Sequence, residues 1–294
     1  MSTNETTFAE NVPLSRYTTL GVGGPARYLV SVDTVALLQN AIRTCYNHRL
    51  PFLILGKGSN SLFDDKGFDG VIILNKISFL KQEGGRLYVG SGYSFSRLGM
   101  KTAREGWSGL EFAGGIPCSV GGAVYMNAGA NGQETGDTLV EVEFVDDTGL
   151  LQLFSKNDLS FNYRSSSFHQ MQGSIASATF LLHQSEQAKE KQSELLSYRK
   201  KTQPYSDKSA GCAFRNPPGY SAGALIDQCQ LKGYSMGGAQ VSTMHCNFII
   251  NANNATAKDV LALMQHIKEE VLKQKGVILE EEIRYIPYNR DRQD

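Results

Sequence analysis

The sequence predicts an α+β protein in three consecutive parts, and three stretches carry that expectation. Residues 28–55 read as strand, helix, strand. Residues 139–154 read as a hairpin, with a further apolar strand at 175–182. A long amphipathic helix at 256–276 leads into a last strand at 277–286. Strands and helices that come in blocks, with antiparallel hairpins among them, point to α+β.

The first part opens with a turn at 21–26 (GVGGPA) and an apolar strand at 28–32. Asp33 is a suitable N-cap, and Val35, Leu38, Ala41, Ile42 and Cys45 recur at helical spacing to about residue 48. Pro51 precedes the buried-type strand 52–55, and another strand follows at 70–74 after a hairpin-like DDKGFDG. The second part has a strand at 87–89 and a helix capped by Ser94 or Ser96 that runs to about 105. Its hairpin turns at 146–149, and 155–160 form a short helical turn. A charged helix at 185–201 bridges to the third part. There a helix starts at Ser221, and a strand ends in the run 245–251. Thr256 caps the last helix and Gly276 stops it. In the final strand Val277, Leu279, Ile283 and Tyr285 fall on one face, with Glu280, Glu282 and Arg284 on the other. The domain division is 1–76, 77–186 and 187–294.

Composition narrows the function. The chain has 294 residues, and its 29 Lys plus Arg balance 29 Asp plus Glu, for a formal net charge of +0. A neutral chain without a basic block is poorly suited to nucleic acid. No apolar run approaches the roughly 18 residues that span a bilayer, and the polar start lacks a signal-peptide pattern. The five cysteines, at 45, 118, 212, 229 and 246, are odd in number, irregularly spaced and free of any CxxC. They suggest neither disulfides nor a metal site, and fit a reducing cytoplasm. Nothing in the sequence indicates an oligomeric state.

Two glycine-rich stretches carry the candidate chemistry. Residues 114–132 (GGIPCSVGGAVYMNAGANG) hold six glycines and no charge. Glycine lets backbone approach another body closely. That body could be a flat cofactor or a crossing segment of chain, and the composition fits either. Strand 52–55 ends in Gly56, Lys57, Gly58, Ser59, Asn60 and Ser61, whose backbone N–H groups and hydroxyls suit a diphosphate. It is neither a Walker loop nor a full GxGxxG, so an ordinary turn fits as well.

Seven segments in order resemble the UDP-N-acetylenolpyruvoylglucosamine reductase family, flavoenzymes of bacterial cell-wall precursor synthesis. They are TTLGVGGPARY, ILGKGSNSLF, GGIPCSVGGAVYMNAGA, FNYRSSSF, GCAFRNPPG, LIDQCQLKG and LEEEIR, spread over nearly the whole chain. The resemblance implies an FAD-binding fold of the vanillyl-alcohol oxidase type in two subdomains, followed by an α+β substrate domain. It implies that residues 56–61 hold the FAD diphosphate. Gly115, Ile116, Pro117, Ser119, Gly122 and Ala123 would line the flavin. Arg164 would face the substrate's enolpyruvyl group, Cys212 would donate a proton, and Glu282 would be the third catalytic residue. Tyr163 and Asn216 would contact substrate. The segment between Arg164 and Cys212 is too short for the tyrosine-bearing loop of one family branch. At position 118 the family motif has Gly, and here it is Cys. At 212 the commoner residue is Ser.

The implied reaction passes a hydride from NADPH to FAD and on to the vinyl ether of UDP-N-acetylglucosamine enolpyruvate. Charge develops at the α-carbon and its carboxylate, which a bidentate Arg stabilises. The carbanion then needs a placed acid, and a thiol titrating near ~8.5 in water is a better donor than a hydroxyl. Taken singly, Cys212 reads as a small buried residue, Glu282 as a solvated strand face, Arg164 as a surface ion-pair partner and His245 as a polar residue at a strand start. Only the motif context turns the first three into catalytic candidates. Two other functions compete: a flavin oxidase of the same fold, often with covalently held flavin, and a non-catalytic nucleotide-sugar binding protein.

Overall fold

Leu38, Ala41, Ile42 and Cys45 are buried on one face of helix α1 (Val35–Asn47). Thr34 caps it, its hydroxyl accepting from the Leu37 N–H, one residue later than the sequence suggests. The chain is described by a computed structural model that covers residues 7–289. The polar residues 1–6 used in the sequence reading lie outside that range. Around α1, strands β1 (Pro25–Val32), β2 (Phe52–Leu55) and β3 (Phe68–Asn75) lie in the sheet order β1, β3, β2. β2 and β3 are parallel, with Phe52 opposite Val71 and Leu55 opposite Leu74. Val30, Val32, Val71 and Ile73 pack with the buried face of α1.

A second, antiparallel sheet follows. Its strands are β4 (Leu80–Glu83), β5 (Arg86–Gly90), β6 (Leu139–Asp146), β7 (Leu151–Ser155) and, after the short pair β8 (Phe161–Asn162) and β9 (Ser165–Ser166), β10 (Gly173–Leu181). The order is β7, β6, β10, β5, β4. One face is apolar: Val142, Phe144, Ala178, Phe180, Leu87 and Val89 join a core with helix α2 (Phe95–Arg104) and the short helix α3 (Val120–Tyr125). The other face is polar, with Glu143 accepting from the Tyr88 hydroxyl and from Ser177, each at 2.6 Å. This is the alternation expected of a sheet buried on one side. The helix α3 falls inside the glycine-rich stretch, where the sequence gives no helical signal.

Helix α4 (Ala188–Thr202) leads to a four-stranded sheet of β11 (Ser209–Cys212), β12 (Ser235–Met236), β13 (Ala239–Val241) and β14 (Phe248–Asn251), in the order β11, β14, β13, β12. The sequence predicts one strand running to residue 251, and the structure folds that stretch into the β12–β13–β14 meander. Helices α5 (Ala222–Gln228) and α6 (Ala257–Lys275) cover it through Leu225, Ile226, Val260, Leu263, Ile267 and Val271. Ser221 and Thr256 are the caps, and Gly276, at φ 68°, ends α6.

Residues 277–286 differ from the even strand predicted for them. Only Arg284–Ile286 is regular strand, parallel to Ser61–Phe63. The N–H groups of Glu282 and Ile283 both donate to the Ala213 carbonyl, at 2.8 and 3.4 Å. The chain bends at Ile283, leaving its bridge to Phe214 for the strand beside Ser61–Phe63, and the alternation restarts there: Tyr285 lies at the surface while Ile286 is buried.

The chain forms two compact units and passes between them repeatedly. One holds Tyr28–Lys57 and Gly70–Arg199 with the chain up to Ala9; the other holds Glu10–Arg27, Gly58–Asp69 and the chain from Lys200 onward. Among the described residues no helix is long and apolar enough to cross a membrane.

Candidate active site

In the first unit, Gly56 and Lys57 follow directly on the carboxyl end of β2, the end at which parallel sheets bind ligands. The Lys57 ammonium donates to Ser94 Oγ at 2.8 Å, and Ser94 caps α2. Ser119 caps α3, its Oγ 3.3 Å from the Gly122 N–H. A Cβ built on Gly56 would lie 2.4 Å from that Oγ, so the strand end and the start of α3 meet at bare backbone. Burial lowers the Lys57 pKa; Cys118 raises it and Arg97 lowers it further. Cys118 is partly exposed, yet dense protein around it pushes its thiol up to about 12, against weaker pulls from Lys57 and Arg199. Its φ is not positive, so Cys in place of Gly costs no backbone strain there.

The other residues expected at the flavin lie in the same unit. Gly115 has φ 85° and its N–H donates to Ser96 Oγ at 2.8 Å. The Cys118 N–H turns back to the Ile116 carbonyl at 2.9 Å across Pro117. Ala123 is buried under α3, whose first N–H groups are already engaged: Val120 with Tyr93 O and Gly121 with Ser91 O.

Arg164 occupies the two-residue turn between β8 and β9, with φ 55°. A non-glycine residue in the left-handed region is uncommon and is held by its surroundings. Its guanidinium stacks over the Tyr163 ring, 4.8 Å from the centroid. The hairpin is pinned to the end of α3. Asn127 Nδ2 donates to Asn162 O at 3.0 Å, and Ser166 Oγ donates to Tyr125 O at 2.6 Å.

The second unit contains Gly58–Ser61, Cys212, Asn216 and Glu282. Gly58 has φ 61°, and a Cβ there would lie 2.1 Å from Tyr17 O. Among the described residues the backbone N–H groups of Lys57, Gly58, Ser59 and Asn60 donate to no other group of the chain. Free N–H groups on side-chain-free backbone suit a diphosphate, so the loop fits the group that its sequence suggests. Asn60 has a further role: its Nδ2 donates to the Glu282 carbonyl at 3.1 Å, and its carbonyl accepts from the Arg284 N–H. The loop thus clasps the irregular segment that carries Glu282.

Cys212 ends β11, after an irregularity in its register with β14 at Gly211, φ 80°. The next residue, Ala213, accepts from Glu282 N–H. Cys212 and Glu282 therefore sit on adjoining segments, each beside a break in regular strand. Asn247 completes the support, its amide bonding both Phe214 N–H and Phe214 O at 3.0 and 2.8 Å. Asn216 Oδ1 accepts from the Ala222 N–H at 3.0 Å and helps start α5. His245 Nδ1 accepts from the Asn247 N–H, and burial lowers its pKa. Ser94, Asn127 and Asn247 are absent from the sequence-derived site. Their partners are far along the chain or are backbone atoms, and a lone polar residue gives no periodic signal.

Two family models match the chain: an FAD binding domain over residues 26–155, and the UDP-N-acetylenolpyruvoylglucosamine reductase C-terminal domain over residues 203–286. The chain is 55% identical over 283 residues to UDP-N-acetylenolpyruvoylglucosamine reductase of Protochlamydia amoebophila, covering 96% of this chain and 95% of that one. It is 48% identical to the protein of the same name from Chlamydia pneumoniae, at 95% and 91% coverage. The crystal structure of UDP-N-acetylenolpyruvylglucosamine reductase from Thermus caldophilus superposes with a TM-score of 0.82 at 39% identity, covering 96% of this chain and all of that one.

Proposed function

The chain belongs to the UDP-N-acetylenolpyruvoylglucosamine reductase family, and on that premise we propose how its own residues carry the reaction. The reaction is the NADPH-dependent, FAD-mediated reduction of UDP-N-acetylglucosamine enolpyruvate in peptidoglycan precursor synthesis. When bound, FAD would supply the hydride-transfer chemistry that links NADPH to the substrate's vinyl ether. Residues 56–61 hold the diphosphate, through the free N–H groups of the loop and the charge of Lys57. Gly115, Ile116, Pro117, Ser119, Gly122 and Ala123 form the wall for the flavin. We assign flavin binding to residues 1–76 and 77–186 and substrate binding to 187–294, and place the reaction in the cytoplasm, where five free cysteines are at home.

Arg164 pairs with the enolpyruvyl carboxylate and stabilises charge on it as the hydride arrives. The Cys212 thiol then protonates the α-carbon. Glu282 orients the acid or the developing enol. Tyr163 shelves the Arg164 guanidinium, and Asn216 meets the nucleotide sugar. The observation that carries this assignment is the adjacency of Cys212 and Glu282, each aimed by a break in regular strand and braced by Asn60 and Asn247.

Cys212→Ala tests it. NADPH should bleach the flavin at the native rate, while substrate-driven reoxidation falls by about 10²–10⁴-fold, the usual contribution of a general acid. Cys212→Ser should retain part of the activity. Native turnover by the alanine variant would overturn the proton-donor role.

A further inference from the structure

Asn127 is fully buried, has φ 44°, and is absent from the machinery assigned above. Its side chain makes three hydrogen bonds. Nδ2 donates to Glu134 Oε2 at 2.6 Å and to the Asn162 carbonyl at 3.0 Å, and Oδ1 accepts from the Gly136 N–H at 2.9 Å. Asn162 is the last residue of β8 before the Tyr163–Arg164 turn. On the other side of that turn, Ser166 Oγ donates to Tyr125 O at 2.6 Å, and Tyr125 is the last residue of α3. Both strands of a six-residue hairpin are therefore tied to the C-terminal end of the helix whose N-terminal end is assigned to the flavin wall. Gly136 closes the arrangement. A Cβ there would lie 3.1 Å from Phe161 Cβ and 3.2 Å from Asn127 Oδ1, so a side chain would push on both β8 and the Asn127 amide.

A hairpin this short has two ladder positions and no core of its own, and its left-handed turn residue is a cost that its surroundings must offset. Phe161 packs against the neighbouring core and Ser160 and Ser167 bond at the base of the hairpin; nearer the turn, the pair of ties holds the backbone from which the Arg164 side chain starts. We propose that Asn127 is a positioning residue: it sets the reach of Arg164 toward the substrate's carboxylate by anchoring the Asn162 carbonyl, with Ser166 as the second tie. This rests on the proposed role of Arg164. A carboxylate clamp tolerates little displacement, since a shift of ~1 Å remote from the reacting atoms can lower a rate about 100-fold.

The test is a double-mutant cycle on the holoenzyme, with the two half-reactions followed separately by flavin absorbance. Asn127→Ala should slow reoxidation by substrate about 10- to 100-fold, with bleaching by NADPH unchanged. In an Arg164→Ala background the same substitution should change reoxidation by less than about twofold, because the arginine it positions is gone. Equal losses in both backgrounds, or a parallel loss in bleaching, would overturn the positioning role in favour of a general structural one. If Arg164→Ala is crippled while Asn127→Ala reoxidises at the native rate, the positioning role alone falls. If Arg164→Ala reoxidises normally, the assignment of Arg164 falls and takes that of Asn127 with it. Should Asn127→Ala fail to fold, Ser166→Ala removes the other tie. It should give a loss of the same kind, again abolished in the Arg164→Ala background, and an undiminished loss there would refute the proposal.

Discussion

Gly56→Ala puts the close meeting of β2 with the start of α3 to a quantitative test. Gly56 is not in the left-handed region, so alanine has no backbone objection to the site. Its Cβ would lie 2.4 Å from Ser119 Oγ but 3.4 Å from Ser119 Cβ. The clash is thus with one hydroxyl, which must rotate away. Rotation removes the cap on Gly122 N–H, worth about 1 kcal/mol. It also leaves a hydroxyl of a residue that is only 3% exposed without its partner, worth about 1–2 kcal/mol more. The single variant should lose about 2–3 kcal/mol in all, or about 4–12 °C in the midpoint of heat-induced flavin release for a folding unit of this size. Ser119→Ala alone forfeits the cap and should lose about 2–4 °C. In the double variant the clashing atom is gone, the Cβ atoms sit in ordinary contact, and Gly→Ala returns about 0.4–1 kcal/mol by restricting the unfolded chain. The double variant should therefore melt no lower than Ser119→Ala. The assay is flavin fluorescence on heating, with FAD in fixed excess so that mass action is constant. Additive losses, with the double variant below both singles, would refute the contact and with it the close approach on which the flavin-wall reading depends.

Two further outcomes follow from titrating groups. The Tyr285 hydroxyl donates to Asp64 Oδ2 at 2.5 Å, which together with the Lys66 N–H holds Asp64 below the usual carboxylate range and pushes Tyr285 up to about 12. Asp64 then contributes stability that is full above its unfolded value of about 4 and is lost as pH falls through its lower folded value. Tyr285 contributes below about pH 10, and that contribution is lost as pH rises toward its folded value. Tyr285→Phe should melt below the native protein at pH 7, with the gap closing at both extremes; a gap unchanged at pH 2 would refute the linkage. At Cys118, a thiol near 12 is only about 10⁻⁴ thiolate at pH 8, against about a quarter for a free cysteine. Iodoacetamide should label it roughly a thousandfold more slowly than glutathione, and acid precipitation should release the flavin. Yellow colour retained in the pellet would point instead to a covalent tether.

Elements whose signals are local could be read before the structure. Helices α1, α2 and α6 carry their own periodicity, and Ser94, Ser221, Thr256 and Gly276 mark ends where capping chemistry demands them. Helix α3 was illegible because Gly121 and Gly122 each cost about 1 kcal/mol in a helix. Tertiary fit decides there: a Cβ on Gly121 would lie 2.9 Å from Ser91 Cβ, so the residue that weakens the helix is the one that lets it dock. The bend at Ile283 was illegible for a related reason. It lies where the chain leaves Ala213 and Phe214 for the strand at Ser61–Phe63, both far back in the sequence. The candidate site follows the same division. Residue types such as Arg164, Cys212 and Glu282 stand out within motifs, whereas the amides of Asn60, Asn127 and Asn247, which brace the segments carrying them, act on backbone that no motif records.

The glycine-rich stretch shows how one composition can serve two ends. Cofactor and chain crossing both fit its glycines, and the structure divides them residue by residue. A Cβ on Gly114 would meet Gln192 Nε2 at 2.7 Å, on Gly121 Ser91, and on Gly129 the Gln133 carbonyl at 2.6 Å. At Gly121 and Gly129 the close atoms belong to or adjoin backbone, so chain lying against them demands glycine, whereas at Gly114 it is the end of a flexible side chain. Gly122 differs: a Cβ there would be in ordinary contact, with Ser119 Oγ at 3.4 Å and Cys118 Cβ at 3.9 Å, so packing within the chain does not demand glycine at this position. Gly115, at φ 85°, makes the turn that brings residues 116–118 round to it. A flat ring system needs an open, uncharged strip of backbone, and the packing glycines are what hold that strip in place. On the proposed reading the crossing glycines build the wall, and Gly115 and Gly122 are where a flavin would meet it.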